Sequence, residues 1–447
     1  MNVFQVALTV LLATCTGSGG EDEQNWPQFR GPGAAGYSRN SGLPTEWDTD
    51  RNIRWKVHVP GVAWSSPVVW GNRVFLTTAV STTPQEAPKK GLYFGGDRAM
   101  PREADYRWVV MCIEGDTGQV LWQRVAREGR PSSAIHLKNS YASETPVTDG
   151  ERLYVYVGAA GLYCYDLDGA PLWHKDLGSY KTRFGWGSAS SPALDGDRLF
   201  ILNDNEENSF LGAFDKRTGE ELWRAERDEK SSWSTPFVWN NSKRTELVTC
   251  ATNRVRSYDP ATGKLLWELG GMSVICSPTP VSDGELLYVS SWYVLDSKQP
   301  IFAIRPGASG DISLQGDATT NDYIVWSRKL GGPYITSPLL YEGRLYVLYD
   351  RGFFGCFDAR SGEPVYDRMR IAPGAGAFTA SPWAYDGKVF CLSEDGETFV
   401  FDDSPEYKLV GKNPLEELFM ASPAISGKRL FLRGIDHLYC IEEGAGR

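Results

Sequence analysis

The chain has 447 residues, 41% hydrophobic and 23% charged, which excludes a disordered polypeptide and leaves room for a large core. Its net charge is −10, from 46 Lys+Arg against 56 Asp+Glu, and no basic run occurs, so nucleic acid and anionic membrane surfaces are excluded as natural partners. Beyond the first 14 residues no apolar stretch reaches the ~20 residues of a membrane-spanning helix.

The N-terminus carries an apolar run from Val3 to Ala13. It is too short to span a membrane and suits the apolar region of an export signal, although basic residues ahead of it are missing. Leu12-Ala13-Thr14-Cys15 resembles a bacterial lipoprotein box, which makes Cys15 a lipidation candidate and a lipid anchor the consequence. The alternative is cleavage near residues 17–20. A polar tether, Thr16-Gly-Ser-Gly-Gly-Glu-Asp-Glu23, follows. The expected division is residues 1–20 as signal peptide or lipoprotein signal, 21–51 as an extended lead-in segment, and 52–447 as one repeat domain. The expected location is the periplasm or cell envelope.

A Ser/Thr-Pro step recurs eight times, at Pro67, Pro146, Pro192, Pro236, Pro280, Pro338, Pro382 and Pro423. Five of the seven intervals lie between 41 and 46 residues, which marks a fixed repeat. The two longer ones hold insertions at 80–106, 126–141 and 305–323. Within most units a short apolar stretch meets a turn such as Asp149-Gly150 or Asp195-Gly196, and an alternating strand follows. Period-2 patterns broken by glycine turns read as antiparallel hairpins. Four strands in about 44 residues, repeated, predict β-propeller blades.

The turn between the third and fourth strands is the most regular piece. Asp215-Lys-Arg-Thr218-Gly219 leads to Trp223, and Asp259-Pro-Ala-Thr262-Gly263 leads to Trp267. Gly118 with Trp122, Gly169 with Trp173, and Gly362 with Tyr366 keep the aromatic four residues after the glycine. Glycine accepts the positive φ of such a turn, and the Asp and Thr side chains bond its backbone. Regular recurrence assigns Trp55, Trp122, Trp173, Trp223, Trp267 and Trp326 to docking between blades rather than to ligand stacking.

The eighth unit supplies only three strands, at 422–426, 429–433 and 437–441. An orphan strand at 52–59 lies ahead of the first unit, and its Trp55 stands 12 residues before Pro67. Trp223, Trp267 and Trp326 keep nearly the same distance to their own next proline. The prediction is an all-β, eight-bladed propeller of four-stranded antiparallel blades, closed by an N-terminal strand that completes the C-terminal blade. Closure removes open sheet edges.

These turns resemble the pyrroloquinoline-quinone (PQQ) repeat family, which includes quinoprotein alcohol dehydrogenases and the outer-membrane assembly lipoprotein BamB. The resemblance covers about residues 50–443. Asn25-Trp-Pro-Gln-Phe-Arg-Gly-Pro32, with residues 42–47, resembles the lead-in of exported PQQ-like propellers from planctomycete-type bacteria. The resemblance implies two classes of function. One is a non-catalytic binding or scaffold module of the envelope, BamB-like, with a protein or peptide partner. The alternative is a PQQ-dependent oxidoreductase with an atypical site and PQQ and Ca²⁺ as cofactors. Quinoprotein dehydrogenases carry a vicinal Cys-Cys disulfide, a Ca²⁺ held by Glu, Asn and Asp, and a catalytic Asp. This sequence has no Cys-Cys pair, so no catalytic residue, metal or cofactor is expected. The oxygen-rich run at 203–208 (Asn-Asp-Asn-Glu-Glu-Asn) matches no calcium-loop spacing and is expected to be a solvated loop.

The residues just before each Ser/Thr-Pro enter the innermost strand. Trp64, Tyr141, Trp186, Trp233, Tyr334, Phe378 and Phe419 lie three to six residues ahead of their prolines. They are expected to ring the channel mouth, with Arg183 and Arg351 adding positive charge, and concave aromatic sites bind ligands or peptide strands. Cys112, Cys164, Cys356 and Cys440 share one repeat position and are expected to be buried and unpaired. The four histidines, His58, His136, His174 and His437, match no metal or hydrolase motif.

Overall fold

A computed structural model describes residues 24–93 and 102–446; the expected export signal, Cys15 and the middle of the first insertion lie outside the described residues. Eight sheets form the eight blades of a propeller. In blade 3, Ala193–Asp195, Arg198–Asn203, Ser209–Asp215 and Glu221–Arg227 pair antiparallel in chain order. The first strands of neighbouring blades touch one another around the channel, as Val68–Trp70 touches Val147–Thr148 and Ala424–Ser426. Second and third strands are almost wholly buried, while fourth strands alternate between exposed and half-buried positions on the rim. Hydrophobic burial between blades therefore falls on the two middle strands, where both faces are apolar.

The ring closes as the spacing predicts. Ile53–His58 joins the sheet of Ala424–Ser426, Arg429–Arg433 and His437–Glu442, with Trp55 opposite Cys440 and His58 opposite His437. Each rim tryptophan but one reaches the next blade. Trp122 Nε1 donates to Leu167 O at 3.0 Å, Trp223 Nε1 to Pro260 O at 3.0 Å, and Trp326 Nε1 to Ala359 O at 2.9 Å. Trp55 and Trp173 do likewise with Gly115 O and Lys216 O. The ring lies on the turn glycine: a Cβ at Gly263, where φ is +71°, would fall 2.5 Å from the Trp223 ring. That glycine serves both a left-handed backbone and a close approach.

Trp267 departs from the pattern. Its Nε1 donates to the Glu246 carboxylate of its own blade at 2.6 Å, and the side chain is fully buried. Blade 5 has no Thr-Gly turn to receive it. The insertion at 305–323, between the third and fourth strands of blade 5, crosses to blade 4. Gly310–Asp311 pairs parallel with Trp267 and Glu268 as a fifth strand, and Ser313 Oγ accepts from Gly270 N at 2.7 Å. The seven described cysteines are all buried and free. The run at 203–208, expected to be a solvated loop, is exposed only at Glu207 and Asn208. Asp204 is buried against Arg227 at 2.7 Å, and Asn205 ties the turn together through its own side chain.

The lead-in segment runs over the end of the ring where first strands turn into second strands. Trp26 pairs with Val69 of blade 1, Pro27 O accepts from Thr148 N of blade 2, and Gln24 O accepts from Ser426 Oγ of blade 8. Ala34 joins the core of blade 4, and Gly36 O accepts from Ala384 N of blade 7. One short segment thus contacts blades on opposite sides of the ring.

Candidate functional site

The Ser/Thr-Pro step has a local reason. At six of the eight junctions the hydroxyl of the Ser or Thr accepts a hydrogen bond from the backbone N–H of the same residue one blade earlier. Ser66 N donates to Thr145 Oγ1 at 3.0 Å, Thr145 N to Ser191 Oγ at 2.9 Å, and Ser191 N to Thr235 Oγ1 at 3.2 Å. Thr279 N, Ser337 N and Ser381 N donate likewise to the hydroxyls of Ser337, Ser381 and Ser422. Proline follows because its fixed φ starts the strand and its missing N–H demands no partner. All eight hydroxyl residues line a central cavity of about 360 Å³.

Phe29 of the lead-in segment lines this cavity at one end. Around the other end, aromatic rings form an arc. The Trp186 centroid lies 5.9 Å from Trp233, 6.4 Å from Tyr293 and 5.4 Å from His136, and Tyr293 lies 5.7 Å from Tyr334. Trp64 lies in the wall with its Nε1 donating to Lys138 O, and Trp233 donates likewise to Gly187 O, so both rings are held in place. Offset and tilted rings at these distances are mutually attractive and present a rigid apolar surface.

Lys138, from the long link between blades 1 and 2, bonds Glu394 of blade 7 at 2.5 Å, with both side chains largely buried. The same carboxylate accepts from Thr379 Oγ1 at 2.7 Å and from Gly91 N at 2.8 Å. This tether holds Gly91, Leu92 and Tyr93 of the first insertion over the cavity rim. A buried charge pair with extra hydrogen bonds is costly to break from one side.

Two further carboxyls lie just behind the wall. Glu144 is 2% exposed, and burial pushes its pKa up to about 7 although Ser188 Oγ donates to it at 2.6 Å. Asp350 is equally buried and is pushed up to about 6, held only in part by the N–H of Ile335 at 3.0 Å. Desolvation dominates both shifts.

Of the residues expected at the channel mouth, Trp64, Trp186, Trp233, Tyr334 and Arg351 line the cavity. Arg183 stands beside it, its guanidinium donating to Val274 O at 3.0 Å. Tyr141, Phe378 and Phe419 do not line it. Tyr141 turns into blade 1 against Tyr106 and Trp108, Phe378 packs on Phe399, and Phe419 packs on Tyr439. Their rings pack instead in the apolar layer between blades, where burial stabilises them. The spacing to proline missed Tyr93, His136, Lys138 and Tyr293, which reach the cavity from insertions and from a connection within blade 5. The hydroxyl ring was visible in the repeat itself, as the residue before each proline.

A closed ring of eight antiparallel blades around a central cavity is the architecture of a PQQ-repeat type of propeller. The sequence matches the family model described as outer membrane protein assembly factor BamB over residues 106–295 and 251–414, most of the chain, and the protein belongs to that family. Solved structures share the fold at low identity. BamB from Moraxella catarrhalis is 11% identical with a TM-score of 0.57, the match covering 87% of this chain and 99% of that one. A europium-containing methanol dehydrogenase is 11% identical with a TM-score of 0.59, covering 93% and 91%. The quinohemoprotein alcohol dehydrogenase of Comamonas testosteroni is 12% identical with a TM-score of 0.60, covering 94% and 80%. No curated protein sequence matches the chain. Both binding proteins and oxidoreductases thus share this architecture, and the choice between them falls to the site. Among the described residues no helix is long and apolar enough to cross a membrane.

Proposed function

We propose that this protein is an exported, non-catalytic binding module of the cell envelope, and that its ligand site is the central cavity. The supporting observation is the chemistry of the lining. Aromatic rings, eight hydroxyls and Arg351 face the cavity, Lys138 being paired there with Glu394, and among the described residues no carboxylate lines it, in a chain of net charge −10. Such a wall favours an anionic partner carrying an apolar ring. About 360 Å³ accommodates one or two side chains rather than a folded domain. The partner class is therefore an envelope protein or peptide that inserts a short segment, an aromatic side chain among Trp186, Trp233 and Tyr293 and a carboxylate toward Arg351. A role in outer-membrane protein assembly, named for the family, is the BamB-like version of this reading. Export and a lipid anchor on Cys15 belong to the same proposal.

The alternative cofactors fit poorly. Ca²⁺ calls for several oxygen ligands, carboxylates among them. The cavity wall offers no carboxylate, and the nearby Asp204 is taken by Arg227. None of the buried cysteines lines the cavity to form a disulfide against a quinone.

Calorimetry with short peptides tests the proposal. A peptide ending in an aromatic residue with a free carboxylate should bind, its amidated form should bind more weakly, and Trp186→Ala or Trp233→Ala should abolish binding. Equal retention of envelope partners by both variants in a pull-down would refute the cavity as the contact. A melting shift with PQQ and Ca²⁺ together, accompanied by dye reduction, would replace this reading with the oxidoreductase.

A further inference from the structure

We propose that His58 and His437 form a two-histidine site for a nitrogen-preferring divalent transition ion, Cu²⁺, Ni²⁺ or Zn²⁺, at the seam that closes the ring. This inference is independent of the cavity.

The two residues face each other across the pairing of the first and last strands. Val59 N donates to Asp436 O at 2.8 Å, so those two form a hydrogen-bonded pair. The adjacent pair, His58 and His437, is then the non-hydrogen-bonded kind, whose side chains stand closest on a sheet. Their ring centroids lie 5.7 Å apart at an interplanar angle of 70°. Two imidazoles bound to one ion through ~2.0–2.1 Å bonds need a similar separation. His58 is exposed and His437 is 30% exposed, so an ion can reach both.

The second observation is the support behind His437. Its Nδ1 lies 3.1 Å from Glu417 Oε2. That carboxylate is fixed by Tyr439 OH at 2.7 Å, by His437 N at 2.9 Å and by Asp436 N. A carboxylate accepting from one ring nitrogen places the proton there and leaves Nε2 with its lone pair for a metal. Glu417 is thus a positioning residue and not a ligand. Among the described residues no three ligating side chains converge, so water completes the coordination shell. Imidazole donors select these ions over Mg²⁺ or Ca²⁺, with Cu²⁺ bound most tightly.

The site has a structural consequence. An ion held by both rings ties strand 53–58 to strand 437–442 and closes a loop of nearly the whole chain.

The test uses the untagged full chain. Calorimetry at neutral pH should show Cu²⁺ binding, with Ni²⁺ and Zn²⁺ weaker, and the melting temperature should rise with ion concentration. The Cu²⁺ electron paramagnetic resonance spectrum should carry the coupling of two imidazole nitrogens. His58→Gln and His437→Gln should each remove the two-nitrogen signature and the melting shift, whereas His174→Gln should keep both. Glu417→Gln should weaken binding about 10- to 100-fold. Unchanged binding in His58→Gln, or a wild-type spectrum with one nitrogen only, would overturn the proposal.

Discussion

Two neighbouring junctions solve the same packing problem differently. Between blades 3 and 4, Trp223 reaches the following turn, Gly263 makes room for it, and Ser191 N bonds the Thr235 hydroxyl. Between blades 4 and 5, Trp267 folds back onto Glu246, a fifth strand covers it, and the buried Thr279 hydroxyl has no partner. There the inner contact is made by Ser234 Oγ to Pro278 O at 2.9 Å and by Trp233 N to Cys276 O at 2.9 Å. The repeat residues are the same at both junctions. What differs is the insertion in blade 5, which removed the turn that Trp267 would have met. A docking signature specifies a side chain, and the neighbour decides what it touches.

The largest effect that separates the junctions is expected from Trp267→Ala, at about 3–5 kcal/mol, because the ring is fully buried and the Glu246 carboxylate loses a donor. Trp223→Ala should cost roughly half that, since its ring is half-buried on the rim. Denaturant melts read both, and equal losses would erase the distinction.

A pH scan probes the junction of blades 2 and 3, where Glu144 accepts from Ser188. Its pKa is raised to about 7 by burial, so the folded state holds a proton that the unfolded chain releases near the ordinary carboxylate value. The stability from that proton is complete below the unfolded value and is lost as pH rises through about 7. Glu144→Gln should remove this dependence and gain on wild type by up to about 3 kcal/mol at pH 8 relative to pH 4.

Glycine exchanges come next. Gly263→Ala combines left-handed strain with a clash against Trp223 and should cost about 2–3 kcal/mol. Gly310→Ala shares the positive φ but meets open space, so it should cost about 1–2 kcal/mol. The smallest effect belongs to the inner ring. Thr235→Val should lose about 1 kcal/mol, and Thr279→Val should lose nothing or gain, because its hydroxyl is buried without a partner.

The amino-acid pattern alone determined the number of blades, their strand order, the position of the rim tryptophans and the closure by Ile53–His58. These follow from local rules: alternation, glycine turns and a constant spacing need no knowledge of distant neighbours. It also placed Trp64, Trp186, Trp233, Tyr334 and Arg351 at the cavity. Tyr141, Phe378 and Phe419 share their spacing and fell into the core, since the path of each link depends on what the adjacent blade leaves open. The passage of the lead-in segment across the ring, the Lys138 to Glu394 tether and the meeting of His58 with His437 were decided only by the tertiary structure. Each joins residues hundreds of positions or several blades apart, and no periodic signal in a chain encodes which of its distant parts will share a surface.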